Sequence, residues 1–73
     1  MVESERDRLL TLLDYWIKHN SEHRDEFVEW ADKARGSASD EVYAYIFEAA
    51  QQMDRANQFL LKALETLKAE RTS

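Results

Sequence analysis

Apolar residues recur along the first half of this chain at alternating intervals of four and three. The stripe runs Leu9, Leu13, Trp16, Asn20, His23, Phe27, Trp30, Ala34. That spacing is the face of a helix packed on another helix. Its centre is polar: Asn20 and His23 hold two places, and His19 lies one helical turn before His23. The second half repeats the spacing at Val42, Ile46, Ala49, Met53, Ala56, Leu60, Ala63 and Leu67. The pattern predicts an all-α chain forming one domain over residues 1–73. Helices are expected over 4–35 and 40–70, with a turn at 36–39.

The ends of these segments carry helix signals. Ser4 and Asp7 fit a capping box, and Glu5 and Asp7 suit the positive end of a helix dipole. Lys33 and Arg35 suit a C-terminus, and Gly36 can take the left-handed conformation that closes a helix. Ser39 caps the second helix, with Asp40 and Glu41 in its first turn. Lys68 and Arg71 close it, and Thr72 and Ser73 are expected to fray. Asn20 and Ser21 are the one place where helix one could break. The unbroken stripe argues for continuity, because a kink would throw His23 and Phe27 out of phase.

A short turn makes the two helices antiparallel. Counting outward from it sets Ala34 opposite Val42, Trp30 opposite Ile46, Phe27 opposite Ala49, His23 opposite Met53, Asn20 opposite Ala56 and Trp16 opposite Leu60. One such seam is too narrow to offset the ordering of 73 residues. Further apolar positions flank both stripes, at Leu10, Ile17, Ala31, Tyr43, Ala50 and Leu64, with Leu12, Tyr45 and Phe59 beyond. That width suits a four-helix bundle built from two copies about a two-fold axis, with those six residues at the dimer interface. A different protein partner presenting its own helices is the alternative.

Composition narrows the function. A formal charge of -5 disfavours nucleic acid and anionic membrane surfaces, both of which need clustered Lys and Arg. With no cysteine there is no disulfide, thiolate metal site or thiol nucleophile. No segment has the apolar length of a membrane span, and the charged N-terminus lacks a signal-peptide core, so a cytoplasmic protein is expected. No phosphate-binding glycine loop, nucleotide fingerprint or serine nucleophile with its base is present, and no enzymatic activity is expected.

The chemistry that remains lies in the central belt of His19, Asn20, His23, Arg24, Gln52 and Asn57. Two readings apply. As a polar layer, the belt fixes register and oligomeric state at some cost in stability. As a metal site, His19 and His23 share a helix face four residues apart, and Glu22 and Glu26 each follow a histidine by three and add oxygen donors. Imidazole with carboxylate suits nickel or zinc among other ions. The Glu-x-x-His pattern of di-iron bundles is absent, and Glu22 and Glu26 lie toward solvent. The polar layer is the preferred reading.

Residues 15–31 resemble a known module. The segment from Tyr15, Trp16, Ile17 through His19, Asn20 and His23 to Phe27, Trp30 and Ala31 is similar to a small helical module of bacteria and archaea. That module occurs among helical extensions of small CooT-type nickel-binding proteins. The resemblance covers helix one well and helix two only through Glu48, Ala49, Ala50 and Met53. It implies nickel handling at His19 and His23. This chain departs from it in lacking the β-domain and cysteine expected of the nickel-binding part. The expected function is a non-catalytic interaction or assembly module acting as a homodimer, with a nickel- or zinc-binding accessory protein as the alternative.

Overall fold

The computed structural model describes residues 4–70. Two helices account for nearly all of them: α1 (Glu5–Ser37) and α2 (Asp40–Ala69). Ser4 caps α1, its Oγ accepting from the Asp7 backbone N–H at 3.1 Å, and Ser39 caps α2 by accepting from Val42 N–H at 3.3 Å. Helix α1 runs without a break through Asn20 and Ser21. Arg71, Thr72 and Ser73 lie outside the described residues.

The turn differs from expectation. Helix α1 continues through Gly36 to Ser37, and no described residue has a positive φ. The left-handed closure is unnecessary because the final carbonyls find other donors. The Ser37 hydroxyl donates to Lys33 O at 3.0 Å, and the Ala38 N–H donates to Ala34 O at 2.8 Å. Two extended residues then reverse the chain, Ala38 (φ -146°, ψ -177°) and Ser39 (φ -73°, ψ 161°).

The helices lie antiparallel as a hairpin. Arg6 near the start of α1 donates from Nη2 to the carbonyls of Leu67 (2.8 Å) and Glu70 (3.1 Å), placing a cation on the negative end of α2. Midway, Asn57 reaches Ile17 and Ser21, which bracket His19, the level the outward count assigns to it.

The seam is rotated from the predicted one. On α1 the seam holds Leu10, Leu13, Ile17, Asn20, Arg24, Phe27, Ala31 and Ala34, with Arg6, Ser21, His23 and Val28 half-buried along its edges. On α2 they are Tyr43, Ile46, Ala50, Met53, Asn57, Leu60, Leu64 and Leu67. Helix α2 keeps half of its expected stripe and moves the other half by one residue, and α1 follows the same shift except that His23 stays half-buried beside Arg24. Leu9, Trp16 and Trp30 leave the seam, as do Val42, Ala49, Ala56 and Ala63. The seam centre thus turns by roughly 50° on each helix, half of the ~100° between successive residues. Both choices alternate four and three, so periodicity does not separate them.

The resulting core is thin. Only Leu13, Ala31, Ala34, Ala50 and Leu64 are buried among the described residues. The Cα extents are 56 × 21 × 11 Å, a single layer two helices wide. The radius of gyration is 16.8 Å, against about 11 Å expected for a compact domain of this length.

Candidate functional site

The central belt divides between two places. Asn20, Arg24 and Asn57 sit in the seam. Asn57 Nδ2 donates to Ile17 O and to Ser21 Oγ, each at 3.0 Å, while its Oδ1 is buried without a partner. Arg24 Nε lies 3.3 Å from Asp25 on its own helix and 3.3 Å from Asp54 across the seam. Nε is itself buried without a directed hydrogen bond, so these contacts are ion pairs by proximity, and with half-exposed partners they contribute little. Gln52 is exposed and donates to Glu48 at 2.9 Å. His19 is exposed and His23 is half-buried at the edge of the seam, on the flank shared with Trp16 and Trp30.

The two imidazoles face each other. His23 Nε2 lies 3.0 Å from His19 Nε2, with the rings edge to face at 88° and centroids 4.4 Å apart. They are the middle of a ladder four residues to the step. Tyr15 stacks on His19 at 5.3 Å, and His23 leans on Phe27 at 6.2 Å. The ladder runs obliquely from the solvent side of α1 to the seam, and its stacking limits how the imidazoles turn. Nitrogens this close either share one proton or hold one ion between them.

The carboxylates are placed differently. Glu26 Oε2 is 4.0 Å from His23 Nδ1, the nitrogen turned away from His19. At that distance it makes no hydrogen bond to the ring, and it lies on the side away from the facing Nε2 atoms. Among the described residues, no three of His, Asp or Glu converge as a metal-holding group. Glu22 and Glu26 therefore do not complete a ligand set around the pair within one chain.

The six residues expected at a dimer interface lie along the seam between α1 and α2. Ala31 is 0% exposed, Ala50 2% and Leu64 7%, while Leu10, Ile17 and Tyr43 are half-buried beside them. They are spent within the chain because the seam rotated onto them. The residues it vacated now form a continuous face. Leu9 of α1 and Ala63 and Thr66 of α2 line one groove, which places these two flanks on the same side of the hairpin. By helical repeat, Trp16, His23 and Trp30 extend that side along α1, and Val42, Ala49 and Ala56 along α2. Trp30 is 60% exposed, with Lys33 Nζ stacked 4.3 Å from its ring centroid. The opposite side is more polar: Asp14 and Lys68 border one groove, and Asp54 and Gln58 another.

Three structural residues escaped the sequence reading: Arg6, Ser21 and Asp54. Arg6 stood in an N-terminal charge run that reads as solvated. Its role as a cap on α2 appears only once the helices are antiparallel, since its partners are 61 and 64 residues away. Ser21 and Asp54 border the seam rather than lie in the predicted stripe. The rotation of the seam is what brings them into contact.

A two-helix layer with one aromatic, histidine-bearing face is the class that the fold defines. The chain belongs to the family described as a domain of unknown function, DUF8180, whose model matches residues 9–67. It is similar to an uncharacterized protein of Archaeoglobus fulgidus, 34% identical over 59 residues, covering 81% of this chain and 94% of that protein. No solved structure matches the chain.

Proposed function

We propose that this protein is a small, cytoplasmic, non-catalytic assembly module whose working form is a homodimeric four-helix bundle. The observation that carries this reading is an accessible surface larger than a compact monomer needs, with Leu9, Trp16, Trp30 and Val42 exposed on it. The chain exposes 5995 Å², whereas a compact monomer of 8.6 kDa exposes about 4,700 Å². The excess, about 1,300 Å² per chain, exceeds the ~800 Å² that each partner buries in a typical stable complex. A second hairpin laid on the aromatic face supplies the missing layer, and two-fold symmetry needs only one kind of surface. Helix one contributes large residues to this face, Trp16 and Trp30. Helix two contributes small ones, Ala49 and Ala56, a pairing that interdigitates well. No helix among the described residues is long and apolar enough to cross a membrane.

The resemblance to helical extensions of CooT-type nickel-binding proteins adds metal handling at His19 and His23 as the alternative function. Neither the family description nor the archaeal relative speaks to nickel.

Sedimentation equilibrium of the wild type and of Trp16→Asp, Trp30→Asp and Lys18→Glu tests the assembly reading. Dimeric wild type and Lys18→Glu, with both tryptophan variants shifted to monomer, are the expected results. Lys18 and Asp14 form an exposed pair on the polar side, so its reversal leaves assembly intact. A wild type that stays monomeric at every concentration overturns the reading.

A further inference from the structure

We propose that His19 and His23 are one half of a divalent transition-metal site, and that a second copy of the chain supplies the other half. The inference rests on the dimeric reading above. It adds a ligand and a means of control.

The pair has the bite of a chelate. Imidazole nitrogens bind late first-row ions at about 2.0–2.1 Å, so donors 3.0 Å apart subtend roughly 90–95° at the ion. That is the angle between neighbouring positions of a square-planar or octahedral site, the geometries that Cu2+ and Ni2+ favour. A tetrahedral Zn2+ needs about 3.3 Å between donors, a small opening of the same pair. The imidazoles are already close and stacked in the ladder from Tyr15 to Phe27, and Glu26 faces Nδ1 of His23.

The site is incomplete in one chain. Two nitrogens leave at least two positions of any such ion unfilled, and no third His, Asp or Glu joins them among the described residues. The pair is centred on residue 21, which is also the midpoint of α1 (Glu5–Ser37). A two-fold axis perpendicular to the helices gives two hairpins full overlap only if it passes through that midpoint. A two-fold axis along the helices sets equal residues level with each other. Either way, full overlap brings the two histidine pairs to the same level. Four imidazoles then surround one ion at the centre of a face that Trp16, Trp30, Ala49 and Ala56 flank. Metal occupancy and dimerisation are therefore linked: an ion that binds only the dimer must stabilise it.

The test uses the untagged full chain, with sedimentation equilibrium and native mass spectrometry in EDTA and then with Cu2+, Ni2+ or Zn2+ salts. The expected result is one ion per two chains and at least a tenfold fall in the dimer dissociation constant. His19→Gln and His23→Gln should each abolish both effects while retaining wild-type helicity by circular dichroism. A dimer in EDTA that no ion strengthens overturns this inference and leaves the assembly reading standing. A chain that is monomeric with and without ions overturns both. One ion per monomer, or a dimer strengthened equally in the glutamine variants, overturns the shared site alone. A monomer in EDTA that dimerises on adding one ion per two chains supports it.

Discussion

Asn57 on α2 donates its side-chain N–H to the backbone carbonyl of Ile17 on α1, at 3.0 Å across the seam. Ser21 takes a second bond from the same nitrogen at 3.0 Å, while Asn57 Oδ1 stays buried and unpaired. The residue thus ties the helices at one level and carries a desolvation cost of its own. Replacing it by alanine removes the tie and leaves a gap, and should destabilise the protein by about 1–2 kcal/mol. Leucine fills the gap and removes the orphaned oxygen, so Asn57→Leu should cost less than alanine or raise stability. Its loss should show instead as mixed oligomeric states, because a polar seam residue fixes alignment. Urea denaturation with sedimentation analysis checks both. Equal damage from leucine and alanine would sink this account.

Gly36 offers a stabilising substitution. It lies within α1, has no positive φ, and a Cβ added there meets nothing within 4 Å. Glycine in a helix carries an entropic penalty that alanine lacks. Gly36→Ala should therefore stabilise the protein by about 0.5–1 kcal/mol. Thermal melts at matched concentration would show a raised midpoint. A lowered midpoint would mean that residue 36 leaves the helical conformation in solution.

Ala31 is the most completely buried residue of the seam, at 0% exposure. A larger side chain there must displace α2, and Ala31→Leu should cost about 1–3 kcal/mol despite its added apolar area. The same change at exposed Ala44 should stay within about 0.5 kcal/mol. The contrast separates this seam from the unrotated one. If Trp30 rather than Ala31 faced α2, leucine at residue 31 would be tolerated and Trp30→Ala would be the damaging change.

Much of the fold was legible before any coordinates. Ser4 and Ser39 announce helix starts through short-range bonds to the N–H three residues on, which depend only on local sequence. The level of Asn57 against residues near His19 followed from counting out from the turn. The exit from α1 departs from the glycine signal because Gly36 is permissive, not prescriptive: Ser37 and Ala38 satisfy the last carbonyls. The histidine pair was legible as a spacing of four. Its 3.0 Å approach and its place at the edge of the seam were not.

The sequence by itself determined two long helices, their caps, their antiparallel sense and the level at which they meet. These follow from helical periodicity, from hydrogen bonds spanning three or four residues and from the shortness of the turn, all of them local constraints. Only the tertiary structure decided which flank of each helix turns inward. Leu9, Trp16 and Trp30 compete there with Leu10, Ile17 and Ala31, and both sets are apolar with the same period. The choice rests on how two whole surfaces interlock at close range, a property of the pair of helices that neither stripe carries alone.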